Sequence, residues 1–292
     1  MQIPCVELVW FALTSSQQLG AEVLVSVLLY FSLPMELTSP AELLKKNALA
    51  VQDYSLLAAR SVTNLFRRPR YVPDIIYQAD LIGVGSLPIV VLTGTFTGAV
   101  LALNTRATLE QFGVLSLTGQ LVSVSMVREL GPVLTSLMVA GRNASGMASE
   151  LGSMQVTEQI DAMRALGTDP YKKLVTPRVV STVFMMFFLT IISDLVGLVG
   201  GWFISYTWIG LDTFQYWNTA YQALKFADVT LGLVKPVLFG FIIATVGCYY
   251  GLSTRGGTQG VGRSTTQAVV VASVLIIAVD FFATKFLLFI FG

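Results

Sequence analysis

SMVRELGPVLTSLMVAGR, residues 125–142, decides how this chain is read. Most of its positions are apolar enough for a lipid bilayer, yet Arg128 and Glu129 stand side by side in it and Gly131-Pro132 follows at once. If the segment crosses a membrane, two charges and a helix-disturbing proline lie at depth, and each needs a physical reason. Composition says that it does cross. The 292 residues are 54% hydrophobic and 12% charged, with a mean hydropathy of +0.72, whereas soluble domains are about one-quarter charged. A formal net charge of +1 supplies no basic field for nucleic acid. The chain has no histidine, which removes histidine metal sites, Ser-His-Asp triads and histidine relays unless a partner supplies the residue. Cys5 and Cys248 have no zinc or redox spacing and read as small apolar residues. No cofactor or metal site is expected.

Spanning the hydrocarbon core takes about 20 apolar residues of helix. Working outward from the opening stretch, such runs fall at about 81–103, 118–141, 179–207, 231–252 and 267–291. Lys and Arg are unevenly spread between them: six in 36–80, five in 142–178 and two in 252–266, against one each in 104–117 and 206–230. This positive-inside pattern puts the first three regions in the cytoplasm and the C-terminus outside, and every alternate loop agrees. The expectation is an all-α integral membrane protein of five transmembrane helices.

Residues 40–66 repeat apolar positions at helical spacing (Leu44, Ala48, Val51, Ala58, Val62, Leu65), with Lys45, Lys46, Asp53 and Arg60 on other faces. This reads as an amphipathic helix lying along the cytoplasmic interface. Residues 1–35 carry only a short apolar run, VLVSVLLYFSL; an extra helix, a targeting segment and translation upstream of a start at Met35 all stay open.

Between the second and third spans, residues 150–170 read ELGSMQVTEQIDAMRALGTDP. Thr157 fits an N-cap, Glu158 and Asp161 fall in the first turns where the helix dipole favours anions, Gly167 fits the position after the helix, and Pro170 forbids continuation. The spacing predicts a cytoplasmic helix over 158–166, too short to span. It shows Ile160, Met163 and Leu166 along one side, with Met154 and Val156 just before. Such an apolar stripe needs cover, from the chain's own interfacial helix or from another protein.

VRELGPVLTSLMVAGR, SELGSMQVTEQIDAMRALGTDP and LVTPRVV, followed by VKPVLFG (234–240), GGTQGVGRSTTQAVV (256–270) and VDFF (279–282), resemble the MlaE/YrbE family. These are the permease subunits of Mla- and Mce-type ABC lipid transporters. The resemblance runs over about residues 40–292, in order. It implies five membrane helices plus an N-terminal interfacial helix, a homodimer of permeases, two copies of a cytoplasmic ABC ATPase, an external MCE-type lipid carrier, and phospholipid or a related lipid as cargo. It also implies that the 158–166 element is the coupling helix docked on the ATPase, which makes Glu150, Met154, Thr157, Glu158, Ile160, Asp161, Met163 and Leu166 the coupling candidates. A bacterial inner membrane, or a plastid envelope, is the implied location.

A charge at mid-membrane costs about 2.5–3.5 kcal/mol on insertion scales, so such residues pair or face a polar cavity. Arg128 and Glu129 point about 100° apart on a helix and cannot neutralise one another. Asp194, Lys235, Asp280 and Lys285 lie in the other spans. Either these groups form interhelical ion pairs that only fix packing, or Glu129, Lys235 and Asp280, with Arg128 and Asp194, border a chamber where a lipid headgroup is solvated. Lys235 lies close enough to the outer end for its ammonium to snorkel, and Pro132 removes a backbone hydrogen bond that would otherwise keep the segment straight.

Gly94-x-x-x-Gly98, Gly197-x-x-x-Gly201 and Gly247-x-x-x-Gly251 point to close helix contacts. GTQGVGRS (257–264) nearly matches a phosphate-binding loop, but Arg263 replaces its lysine and no strand precedes it. It reads as a flexible cytoplasmic turn, so ATP-driven work requires a partner. The alternative function is an ion- or proton-coupled secondary transporter using Asp194, Glu129 and Asp280 as relay carboxylates, though no internal repeat supports it. An intramembrane enzyme finds no diagnostic residue spacing.

Overall fold

In a computed structural model the described residues are 40–65 and 71–291, and they are almost wholly helical, with no strand among them. The N-terminal extension, 1–35, lies outside the described residues. Eight helices follow in order: α1 (Pro40–Leu65), α2 (Val72–Gln111), α3 (Leu115–Val156), α4 (Gln159–Ala165), α5 (Tyr171–Ile209), α6 (Thr213–Ala223), α7 (Phe226–Leu252) and α8 (Gly257–Phe291). α2, α3, α5, α7 and α8 are long and apolar enough to cross a membrane. These are the five expected spans, but each reaches beyond its apolar run. The 40 residues of α2 extend about 60 Å at 1.5 Å per residue, about twice the hydrocarbon thickness.

The chain divides into two compact units, Met1–Leu56 and Leu57–Gly292. Of the first unit, the described part is the leading portion of α1, on which Leu49, Val51 and Leu56 are exposed. In the second, the rest of α1 contributes Leu57 and Ser61 to the interior, while Val62 is exposed. The helix is as expected; its inward face is not the one the apolar spacing marked.

Close approach of helices explains the glycine pattern. α2 lays the strict four-residue series Gln78, Ile82, Ser86, Val90, Gly94, Gly98 and Ala102 inward, and α5 answers with Gly197, Gly200 and Gly201. A Cβ on Gly98 would collide with the Gly197 carbonyl, and one on Gly200 with the Thr95 carbonyl. Gly247 and Gly251 of α7 pack on Ala144, Met147, Ala148 and Leu151 of α3. All three small-residue motifs are therefore used within one chain.

The turn between α7 and α8 is short. Ser253 caps α7, Gly256 and Gly257 hold positive φ (89° and 67°), and α8 begins at Gly257. Residues 257–264 are thus the first turns of a helix rather than a flexible turn, and Thr254 donates to Ser264 Oγ (2.9 Å) to lock them.

Candidate functional site

The site grows from Pro132. Proline has no N–H and its ring crowds the carbonyl four residues back, which here belongs to Arg128. The backbone answers with a π-helical turn over Met126–Leu130, in which the Gly131 N–H reaches back to Met126 O. Such π-bulges leave backbone groups for other partners. The Arg128 carbonyl accepts a hydrogen bond from Lys235 Nζ (3.2 Å) of α7. The kink residue thus creates the acceptor that helps place a lysine.

Lys235 is fully buried, so its ammonium does not snorkel to the outer end. Its Nζ lies 2.5 Å from Glu129 Oε2 and 2.9 Å from Asp280 Oδ1 of α8. The contact with Asp280 is an ion pair without an aligned hydrogen bond, since that oxygen has no hydrogen-bond partner. Thr284, one turn beyond Asp280, donates to Glu129 Oε1 (3.3 Å). One lysine between two carboxylates leaves the triad with a formal charge of −1. Glu129 keeps 36% of its side chain exposed and Asp280 20%, although Asp280 Oδ1 is itself buried, and the cation is sealed behind them.

Arg128 turns the other way, as the 100° offset requires, and its Nε lies 3.5 Å from Asp228 Oδ1 at the start of α7. Asp228 also accepts from the Lys225 N–H (3.3 Å), which caps the start of α7. The sequence reading missed Asp228 because it falls just before the apolar run, and the N-cap residue, Lys225, is not one that capping preferences pick out.

The remaining charges stand apart. Asp194 of α5 is buried against Gly131, where a Cβ would strike its Oδ1, and that oxygen has no hydrogen-bond partner. It is in no ion pair among the described residues, and Lys285 is exposed. The charges within the spans therefore do not form one network: Glu129, Lys235 and Asp280 come together, Arg128 pairs with Asp228, and Asp194 and Lys285 join neither.

At the opposite end of the bundle, the short helix differs from its expected form. Thr157 is not an N-cap: its hydroxyl donates to Ser153 O (2.8 Å), and it closes α3. The N-cap position is Glu158, which holds the left-handed conformation at φ 59° and makes no side-chain cap. This sharp reversal needs one residue in a conformation that non-glycine side chains rarely adopt. α4 runs over Gln159–Ala165, with Asp161 and Arg164 ion-paired (2.8 Å). Gly167, at φ 76°, ends it as expected, with Thr168 N–H bonded to Met163 O.

The expected apolar stripe is split. Ile160 is fully buried, Met163 half-buried, and Leu166 is 84% exposed, with Val156 also exposed. Met154 packs against a core cluster of Leu57, Ile82, Leu151, Val175 and Cys248. Glu150 is taken up by Arg178 of α5 (2.8 Å), which is itself buried. Lys173 pairs with Asp74 (2.9 Å) and lies over the Tyr71 ring, and Arg60 lies over the Tyr171 ring. The base is braced, and Thr157, Glu158, Asp161 and Leu166 are what it presents.

Comparison with known proteins fits this arrangement. The chain is 42% identical over 240 residues to a probable ABC transporter permease protein of Rickettsia conorii, covering 82% of this chain and 93% of that one. It is 32% identical over 216 residues (74% and 83%) to the intermembrane phospholipid transport system permease protein MlaE of Haemophilus influenzae. It is 35% identical over 231 residues (79% and 66%) to the chloroplastic protein trigalactosyldiacylglycerol 1 of Arabidopsis thaliana. A family model described as Permease MlaE matches residues 75–286, which takes in all five spans, the Glu129–Lys235–Asp280 triad and α4. With five spans and a match of this length, the chain is a multi-pass membrane protein that belongs to the MlaE permease family of ABC transporter permeases.

Proposed function

We propose that this permease moves phospholipid or a related lipid between its membrane and an external MCE-type carrier, driven by a separate ABC ATPase. The observation that carries the reading is the triad, in which a buried ammonium holds two carboxylates whose side chains are partly exposed within membrane-spanning helices. A headgroup needs polar partners at membrane depth while its chains need apolar walls, and this surface offers both. The names of the Haemophilus and Arabidopsis relatives, which concern phospholipid transport and a glycerolipid, support lipid as cargo.

The functional unit in this reading is a homodimer whose two copies close a chamber around the triads, with two ATPase copies below. The ATPase receives α4 through Leu166, Glu158, Asp161 and Thr157, while Ile160, Met163, Met154 and Glu150 anchor that helix to the bundle. The excess of Lys and Arg in 36–80, 142–178 and 252–266 puts α4 on the cytoplasmic side and the C-terminus outside; a bacterial inner membrane is the setting. An ion- or proton-coupled carrier draws on one observation, the buried Asp194 Oδ1, which has no hydrogen-bond partner.

The test is purification of the chain with its co-expressed ATPase, followed by extraction and mass spectrometry of bound lipid. Stoichiometric phospholipid supports the proposal. A lipid-free complex that takes up solute in response to a proton gradient supports the carrier instead.

A further inference from the structure

α6 connects two spans, yet three of its faces differ in chemistry. At about 100° per residue, Tyr216 and Ala220 share one side, and both are buried. Tyr216 Oη donates to Leu198 O (3.1 Å), and Ala220 O accepts from Ser123 Oγ of α3 (3.1 Å). Phe214, Trp217 and Tyr221 share a second side and are 77%, 39% and 82% exposed. Gln215, Asn218 and Gln222 share a third, exposed and uncharged, with Gln222 Nε2 donating to Asn218 Oδ1 (3.0 Å). Residues 213–224 contain no charged side chain. Among the described residues, protein covers the first side and leaves the other two largely exposed.

Further exposed aromatic rings flank α6 on the helices before and after it. α5 ends at Ile209, and three residues separate it from the start of α6. Its last turns expose Phe203, Tyr206 and Trp208, and Phe226 opens α7. Aromatic rings collect where hydrocarbon meets the headgroup layer, and a helix that is apolar on one side and polar on another lies flat there.

We propose that α6 is an interfacial anchor, lying in the headgroup layer of the leaflet at this end. Tyr216 and Ala220 face the bundle, Phe214, Trp217 and Tyr221 rest in the acyl boundary, and Gln215, Asn218 and Gln222 face water. The inference rests on the five-span reading, not on lipid as cargo. It also fixes a depth. From Ser123, tied to α6, α3 runs six residues to Glu129, about 9 Å at 1.5 Å per residue, against about 15 Å from the edge of the hydrocarbon to its centre. The triad then lies in the hydrocarbon of that leaflet, about 9 Å below the level of α6 and short of the bilayer centre.

The experiment reconstitutes the full chain in phosphatidylcholine liposomes with Trp217 as its sole tryptophan (Trp10, Trp202 and Trp208 replaced by Phe). Lipids brominated near the glycerol end should quench its fluorescence about twofold more than lipids brominated near the methyl end, as expected for a ring about 5–10 Å deep, and aqueous iodide should quench it weakly. Strong iodide quenching without bromine quenching would overturn the proposal by placing α6 in water. Protection from both would overturn it by showing that a second copy or another protein covers the face. Should the tryptophan replacements prevent folding, spin labels at Tyr221→Cys and Gln215→Cys in a Cys5→Ser background answer the same question. The first should be the more accessible to oxygen and the second to a water-soluble nickel chelate; equal accessibility at both sites refutes the three-sided placement.

Discussion

Replacing Lys235 by Met tests whether the triad is one unit. Methionine nearly conserves the volume of the buried side chain, so little cavity is left. What is lost is the ammonium that lies 2.5 Å from Glu129, 2.9 Å from Asp280 and 3.2 Å from the Arg128 carbonyl. Removing one partner of a buried ion pair costs about 3–5 kcal/mol because the other charge stays behind. Here the cost falls near the lower figure, since Glu129 and Asp280 keep some contact with solvent. About 3 kcal/mol, at about 2–4 °C per kcal/mol, lowers the melting temperature by about 6–12 °C. Adding Glu129→Gln and Asp280→Asn to Lys235→Met removes the stranded charges and should restore at least half of the drop. The assay is thermal unfolding in detergent followed by intrinsic fluorescence. A drop of under about 2 °C for Lys235→Met, or a triple variant less stable than the single one, would refute the reasoning.

Other variants probe the remaining parts. Gly98→Val forces a side chain against the Gly197 carbonyl, and it should reduce the melting temperature and the folded yield by the equivalent of about 1–3 kcal/mol; normal stability would show that α2 and α5 can separate freely. Leu166→Asp should abolish co-purification with the ATPase while leaving the permease inserted, whereas Ile160→Asp should destabilise the permease itself, because only Ile160 is buried. Equal behaviour of the two would remove α4 as the docking element. Glu158→Gly should relax the positive φ and leave stability unchanged or raise it by about 1 kcal/mol, so a marked loss of stability would contradict the strained reversal.

Apolar runs, charge between them and the order of both made the five spans legible in the sequence, because the bilayer imposes length and hydrophobicity on every helix that crosses it. Where the helices end was less legible. Nothing in an apolar run says how far a helix continues into water, so α2 begins at Val72 rather than near Leu81, and α7 begins early enough to include Asp228. The charged residues of the site could be picked out one by one because charge within a span is conspicuous, but their pairing depends on helix rotation. That is why Lys235 proved buried and why Asp194 and Lys285 stayed outside the triad. The end of α4 was legible through Gly167; its start was not, since a left-handed glutamate has no sequence signature and Thr157 bonds backward instead of forward. Pro132 was legible as a disturbance, and only the fold shows that the carbonyl it frees is the one that receives Lys235.

The central claim, that the exposed carboxylate of the triad handles lipid, is tested most directly by Glu129→Gln in a phospholipid-transfer assay between proteoliposomes and the carrier protein. The amide keeps the shape and one acceptor oxygen but removes the negative charge, and with it the ion pair to Lys235. Loss of a charge-assisted contact worth about 1.5–3 kcal/mol predicts transfer slower by about 10- to 100-fold, with insertion and ATPase association intact. Transfer at the rate of the parent chain would contradict the account and leave the triad as a packing device alone.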